Sequence, residues 1–183
     1  MIHAMATYPE QKSTTTMTDS VSLVNPETLL RLYGEIPPLE NFRFRSMNLD
    51  WQGPKVTLRV DLLTFPQIVP PEWHGTDVDT VQCHLQFLAV ADFSLTRWDP
   101  SVKSAWLTTK RLDAERRLQV QVKGAGLNLE FTSSESVLVG HVSAFKMGKE
   151  GTDEGRHLFS SKLDQMRHNH IPATDEKTFY ARL

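Results

Sequence analysis

Histidines are the side chains of this sequence best suited to metal binding or acid–base chemistry, and three of the seven lie near its C-terminal end. His157, His168 and His170 lie there, with Asp164 between them. A His-x-His pair on one strand face, helped by an aspartate, is a combination that zinc accepts. The segment lacks strand periodicity, however, and a fourth ligand is missing. We therefore predict solvated histidines in a tail and no metal site.

Two further histidines fall within predicted strands. His84 and His141 are placed so that they could meet across a sheet. His141 has the strand parity of the apolar residues Val137 and Val139, so it is predicted to be a hydrogen-bonded core or edge residue. A hydrolase that uses His84 or His141 as its base is kept only as a minor alternative.

Other catalytic signals are missing from the sequence. The single cysteine, Cys83, alternates in phase with Val81 and Leu85, which predicts a small buried apolar group and not a nucleophile. There is no Gly-x-Ser-x-Gly elbow, no Gly-x4-Gly-Lys phosphate loop and no His-Glu-x-x-His zinc helix. We predict a protein that is not an enzyme, with no catalytic residues, no cofactor and no metal.

The tryptophans suggest binding to another protein. All four lie at predicted strand ends or in connections: Trp51, Trp73, Trp98 and Trp106. Exposed tryptophans are enriched at interfaces, although they can equally cap the ends of a sheet core. We expect the Trp73-His74 pair to be exposed. The predicted partner-binding residues are Trp73, His74, Asp77, Asp79 and Trp98.

A β-hairpin between Asn41 and Leu63 is the clearest structural pattern. Apolar and polar residues alternate from Val56 to Leu62, as they do on a strand with one buried face. A second alternating run precedes it, separated by the turn Trp51-Gln52-Gly53-Pro54. The parity of the first run reverses upstream, which predicts a bulge near Arg45–Ser46.

The remaining elements are mainly strands. A short helix is predicted from an Asn25 cap, through Pro26 at its first position, to Gly34. A Pro-rich loop at 64–79 is expected to cross an end of the sheet. Further strands are predicted at 80–93, 105–110 and 136–147, and a second hairpin turns at Gly124-Ala125-Gly126.

These elements predict a mainly β fold. We expect a single antiparallel β-sandwich, or a curved barrel-like sheet, of about seven to eight strands with one short N-terminal helix. Residues 1–22 are predicted to be a flexible arm, 23–151 the β-rich domain, and 152–183 a C-terminal extension that is partly helical or irregular.

Composition limits the partners. The 183 residues carry a net charge of −2, which offers no basic field for nucleic acid. No apolar run approaches the ~20 residues that span a bilayer, and the N-terminal residues lack the apolar core of a secretory signal. One cysteine excludes an internal disulfide framework and suits a reducing compartment. We predict a cytoplasmic protein that binds neither nucleic acid nor membranes.

Several of these patterns occur together in a known family. The chain has Asn25-Pro26-x2-Leu29-x3-Tyr33-Gly34, Pro37-x-Leu39, Trp51-x-Gly53-Pro54-x-Val56-x-Leu58, Pro71-x-Trp73 and Val81-x-Cys83-x-Leu85-x-Phe87. In these motifs, over roughly Leu23–Phe145, it resembles the immunity protein 50 family of bacteria. The resemblance implies a small non-enzymatic protein that binds and neutralises a cognate secreted toxin encoded next to it. It implies no catalytic residue.

One alternative from a different class remains open. The strand number and the two-sided apolar runs at Leu88–Ala91 and Val137–Val142 are also compatible with a lipocalin-like barrel that binds a small molecule or lipid. Such a barrel needs an internal cavity, whereas a binding scaffold can be packed solid.

Whether the chain forms a homodimer is a second open question, because sheet edges and exposed tryptophans often pair.

Overall fold

The computed structural model of the chain describes residues 21–112 and 116–176, which contain ten strands, two helices and a short 3₁₀ turn. The helices are α1 (Glu27–Tyr33) and α2 (Lys162–Arg167), and the 3₁₀ turn is Pro71–Trp73. The strands are β1 (Ser22–Leu23), β2 (Asn41–Asp50), β3 (Lys55–Leu62), β4 (Thr80–Phe87), β5 (Ala91–Trp98), β6 (Ser104–Leu112), β7 (Arg117–Gly124), β8 (Leu127–Ser134), β9 (Ser136–Met147) and β10 (Asp153–Phe159). Most of the predicted N-terminal arm and the last seven residues of the predicted extension lie outside the described residues. The division into arm, domain and extension stays a prediction.

The ten strands of the described residues form one open, mixed sheet. Their order is β1-β9-β4-β3-β2-β6-β7-β8-β5, and β10 pairs with β9 beside this path. Neighbours are antiparallel except β1 and β9, which run parallel. The mainly β class is confirmed, whereas the number of strands and the purely antiparallel sandwich are not exact, because the ten described strands form one mixed sheet. A second helix, α2, follows the predicted N-terminal one. β1 has two residues and β10 lies in a charged stretch, so neither has the alternation that predicts a strand.

The first hairpin forms as predicted. β2 and β3 pair antiparallel from Phe42 opposite Leu62 to Asp50 opposite Lys55. Their register shifts between Phe44 and Ser46, which places a bulge where the reversed parity required one. β7 and β8 form the second hairpin around Ala125-Gly126.

The sheet folds over on itself because its middle is narrow. β2 and β6 pair over only three residues, Asn41–Arg43 with Ser104–Trp106. Beyond this junction the two halves face each other: Phe87 of β4 meets Phe131 of β8 edge to face, with ring centroids 5.3 Å apart. The core between the halves is filled by buried side chains of both, which is the packing that the sandwich prediction anticipated within a different topology.

The N-terminal helix packs on this core. Leu29 and Leu32 of α1 are 0% and 1% exposed. Each such burial stabilises the fold by roughly 1.5–3 kcal/mol. Asn25 was predicted to be the N-cap of α1, but the N-cap is the next residue, Pro26. The Asn25 amide instead donates to the carbonyl of Val139 and accepts from the N–H of Val139, so it attaches the start of α1 to β9.

On β3, β4 and β9, the side of the sheet that faces away from the apolar core is polar and yet buried. Its buried polar residues are Thr57, Asp61, Gln82, His84, Gln86 and Ser143. β10 and α2, from the C-terminal segment, lie over this side: His157 of β10 bonds Ser143, and Asp164 of α2 lies 3.2 Å from His141 of β9. None of the described helices is long and apolar enough to cross a membrane.

Candidate functional site

A broad exposed face lies on the strands β6, β7, β8 and β5. Along β7 and β8, buried apolar residues alternate with partly exposed polar ones, so one side of these strands is available to a partner. The register puts Trp106 opposite Lys123, and Lys123 opposite Asn128. We call this surface the outer face; it comprises Asp92, Arg97, Trp106, Thr108, Lys110, Arg117, Gln119, Gln121, Lys123, Asn128, Glu130 and Thr132.

The outer face is basic although the chain is acidic overall. It carries four cationic side chains, Arg97, Lys110, Arg117 and Lys123, and two carboxylates, that of Glu130 and that of Asp92, which accepts a hydrogen bond from Thr132. The amides of Gln119 and Gln121 donate to the Glu130 carboxylate at 3.0 and 2.7 Å. A positive surplus remains, which attracts an acidic surface and speeds its association.

The outer face also offers an aromatic anchor and a shallow depression. The Trp106 side chain is 53% exposed beside Lys123. A depression of about 470 Å³ lies between Arg97 and Lys123. A half-exposed tryptophan beside a cationic side chain is typical of a protein-binding hot spot, because the ring buries a large area at low entropy cost.

Most of the residues selected from the sequence are exposed but scattered. Trp98, at the end of β5, is 48% exposed, and its ring meets Phe44 edge to face at 6.0 Å. His74 and Asp77 are exposed in the Pro-rich loop. Five strands separate β4, which follows this loop, from β5, which ends in Trp98. The structure therefore does not bring these residues together into one continuous strand face.

Asp79 is already engaged within the chain. Its carboxylate accepts hydrogen bonds from the Lys146 ammonium at 2.7 Å and from the Met147 N–H at 2.9 Å. Burial acts to raise the pKa of Asp79, but these hydrogen bonds hold it below its usual value. Asp79 thus ties the start of β4 to the end of β9.

Trp73 was predicted to be exposed, and this prediction was wrong. Its side chain is 3% exposed, because the 3₁₀ turn Pro71–Trp73 directs the ring inward against Phe65, at 6.3 Å between centroids. The Trp73 indole nitrogen has no hydrogen-bond partner among the described residues. Two consecutive prolines favour this turn, but which side chain a turn buries depends on what lies beneath it.

A charge network fills part of the buried polar layer. The Arg45 guanidinium donates to Asp61 at 2.7 Å and lies 3.2 Å from the Asp153 carboxylate. Arg59 bonds Asp153 at 2.5 Å, and the Gln82 amide bonds Asp61 at 2.6 Å. Asp153 belongs to β10, so the network binds β10 to β2, β3 and β4.

The two carboxylates of this network have opposite pKa shifts. Burial raises the pKa of Asp61, although Arg45 and Gln82 donate hydrogen bonds to it. Burial acts on Asp153 in the same sense, but a hydrogen bond from His157 and the charges of Arg45 and Arg59 hold its pKa below the usual value. Asp153 is the more exposed of the two side chains, which explains its smaller desolvation.

A cluster of histidines occupies the other part of the polar layer. One donor atom each of His141, Asp164 and His168 lies within 4.8 Å of the other two. The Nδ1 atom of His141 is 3.2 Å from Oδ2 of Asp164. The ring of His84 lies edge-on to that of His141 at 5.5 Å, so the meeting across the sheet predicted from the sequence takes place.

Burial determines the protonation of His84, the ring beside this cluster. Burial first, and then the neighbouring His141 and Arg59, lower the pKa of His84 to about 3. A ring held neutral in this way is a poor base at neutral pH. The buried Cys83 behaves as expected, since burial raises its pKa to about 12.

The prediction of solvated C-terminal histidines holds for only part of the group. His170 is exposed, but His157 is 0% exposed and stacks on Phe145 with ring centroids 4.8 Å apart. The sequence hides this because β10 lies among charged residues, and because Asp164 and His141 are 23 positions apart. The sequence offered only one signal: His157 and Phe159 are two positions apart, as are neighbours on one face of a strand.

An apolar groove of about 600 Å³ lies between α1, the Pro-rich loop and α2. Its rim carries the exposed side chains of Ile68 and Met166, and Leu32 and Phe159 line its floor. The sequence gives no sign of this groove, because its walls come from three separate segments.

Comparison with known proteins gives one result. The model of a family described as Immunity protein 50 matches residues 25–140, which is more than half of the chain. No curated protein and no solved structure matches the chain. The match contains the outer face and ends immediately before His141.

Proposed function

Since this chain belongs to the Immunity protein 50 family, we propose that it binds and neutralises a protein toxin encoded beside it in a bacterial genome. Family membership is the observation that carries the proposal. The protein acts in the cytoplasm by occluding the toxin or holding it inactive, and it does so without catalysis.

The outer face is our candidate for the toxin contact. It is basic and partly exposed, and Trp106 provides an aromatic anchor that binding can desolvate. The complementary toxin surface is acidic, because like charges facing the outer face would repel. Trp98, His74, Asp77 and Asp79 remain secondary candidates on other parts of the surface.

The two alternative functions have less support. A lipocalin-like site needs a closed barrel, whereas the described strands form an open sheet over a filled core. A hydrolase would need an accessible base, whereas His84 and His141 are each 2% exposed and the pKa of His84 is about 3.

Co-expression tests the function. The protein encoded beside this chain is expressed in a bacterial host with and without the chain, and growth is recorded. We expect toxicity in its absence, rescue in its presence, and a stable complex on purification. Light scattering on that complex gives its stoichiometry and tests whether the chain forms a homodimer. A neighbour whose toxicity is unaffected by equal expression of this chain would contradict the proposal.

A matched pair of tryptophans tests the contact face. We expect Trp106→Ala to weaken toxin binding by about 30-fold or more, the effect of losing ~2 kcal/mol at a hot spot. Trp51→Ala is the control, because Trp51 is 79% exposed in the β2–β3 turn and lies outside the strands that form the outer face. Isothermal titration of both variants against the neighbouring toxin measures the difference.

Two results would move the contact elsewhere. Equal affinities of the two variants would exclude Trp106 as an anchor. Met166→Ala would then be the next variant, since a loss of affinity there would place the toxin in the groove beside α2.

Lys123→Glu is an electrostatic test of the outer face, because reversing a charge in the contact slows association most at low salt.

A further inference from the structure

We propose that His141, Asp164 and His168 form a zinc-binding site that fastens α2 to β9. Their donor atoms lie within 4.8 Å of one another, and His141 and Asp164 are buried. Two imidazole nitrogens and one carboxylate oxygen suit Zn²⁺ better than Mg²⁺ or Ca²⁺, because Mg²⁺ and Ca²⁺ take oxygen ligands. All three residues lie beyond the family match, so the site belongs to the C-terminal part of this chain.

The backbone of β9 turns His141 towards α2. Val137 and Val139 are buried in the core, but after His141 the parity reverses, and Val142 and Ala144 take the core side. The pairing register of β9 with β4 shifts at the same place, and His141 has a φ of +45°. A bulge that re-aims a side chain is common beside functional sites, and a histidine held at positive φ is an uncommon, strained conformation.

The other two ligands come from one side of α2. Asp164 and His168 are four positions apart, which places both over the same turn of the helix. The backbone N–H of His168 bonds the carbonyl of Asp164 at 2.8 Å, and the Ser161 hydroxyl accepts from the Asp164 N–H at the helix start. The pair is therefore positioned before any metal binds, with rings of His168 and His141 5.6 Å apart.

His84 is the neighbour able to complete a tetrahedral set. Its Nε2 is buried and has no hydrogen-bond partner among the described residues, while a hydrogen bond to the backbone of Pro172 orients the ring. A backbone acceptor on one imidazole nitrogen is the usual support for a ligand that uses the other. Structural zinc sites have four protein ligands, so recruiting His84 by a small shift would close the site.

Zinc titration of the chain alone tests the site, independently of any toxin. The purified chain is stripped with a chelator and titrated with Zn²⁺ in competition with a chromogenic zinc indicator. We expect one zinc per chain, and a loss of affinity by about 100-fold or more in His168→Ala, since even outer-shell changes cost 10–100-fold. His170→Ala is the matched control, because His170 is an exposed histidine two positions further on.

Co²⁺ provides a second readout that does not depend on a variant. Bound at the site of the wild-type chain, Co²⁺ should give the intense visible absorption of a tetrahedral complex, and adding Zn²⁺ should abolish it. Circular dichroism verifies that His168→Ala is folded; if it is not, Asp164→Asn replaces it. An absent Co²⁺ band, zinc affinity unchanged in the ligand variant, or an equal loss in His170→Ala would each overturn the proposal.

Discussion

Gly126 occupies a turn position that accepts no other residue without strain. Its φ is +96°, and a Cβ atom built there would lie 2.6 Å from Cβ of Asp99. In the left-handed region a residue other than glycine is destabilised by roughly 1–2 kcal/mol, even without a clash. The turn between β7 and β8, and with it the edge of the outer face, therefore depends on this glycine.

Replacing this glycine should destabilise the fold. We expect Gly126→Ala to lower the free energy of unfolding by about 2 kcal/mol or more, and urea denaturation measures it. Gly53→Ala is the control, because no atom lies within 4 Å of a Cβ at Gly53. Equal effects of the two substitutions would show that the turn relaxes around the new methyl group.

The sequence predicted side-chain burial well on regular strands and poorly elsewhere. Alternation correctly buried Cys83 and Val120, since a strand fixes which side each residue faces. At His141 it predicted burial correctly but placed the ring on the wrong side of the sheet, because a bulge exchanges the two sides. At Trp73 the predicted exposure was wrong, because a turn has no such periodicity. The His141–Asp164 contact was out of reach for a further reason: it joins residues whose proximity only the tertiary fold decides.

At the scale of elements, the attachment of β10 depends on charge. Asp153 and Asp61 share Arg45 but should respond to pH with opposite signs. The folded-state pKa of Asp153 lies below 3.8, so beneath that pH the unfolded chain binds the proton first and the fold loses stability as the pH falls. The folded-state pKa of Asp61 lies above 3.8, so above that value the folded chain keeps an extra proton and stability declines as the pH rises through the raised pKa.

Two conservative variants separate these contributions. Asp153→Asn should remove the acid-side loss below pH 3.8, and Asp61→Asn should remove the decline above it. Each unit of pKa shift corresponds to about 1.4 kcal/mol. Urea unfolding from about pH 3 to about pH 6 gives the stability profiles, and the slopes matter more than the absolute losses, since each variant also breaks hydrogen bonds. Identical slopes for both variants would contradict the opposite shifts.

Element prediction succeeded where local signals were strong. Both hairpins were located because their turns carry glycine or proline between alternating runs, and the reversed parity revealed the bulge after Phe44. β1 and β10 were missed because their pairing with β9 supplies the strand, whereas their own residues do not favour one.

At the scale of the whole molecule, the path of the sheet decides what is exposed. The narrow β2–β6 junction allows the sheet to fold over, which buries one side of β6, β7 and β8 and leaves the outer face free. The sequence supplied the strands, but it did not predict their order, because pairing of distant strands is not encoded in local periodicity. The outer face, with Trp106 and its cations, became visible only through that order.

A binding measurement with the product of the neighbouring gene, which we propose to be a toxin, tests the proposed function most directly. The purified chain is titrated calorimetrically with an inactive variant of that toxin at moderate salt. We predict a saturable complex with a dissociation constant below about 1 μM, corresponding to about −8 kcal/mol or stronger, which weakens as salt is added. Absence of binding at tens of micromolar, together with a toxin shown to be folded, would contradict the proposal that this protein is an immunity factor for its neighbour.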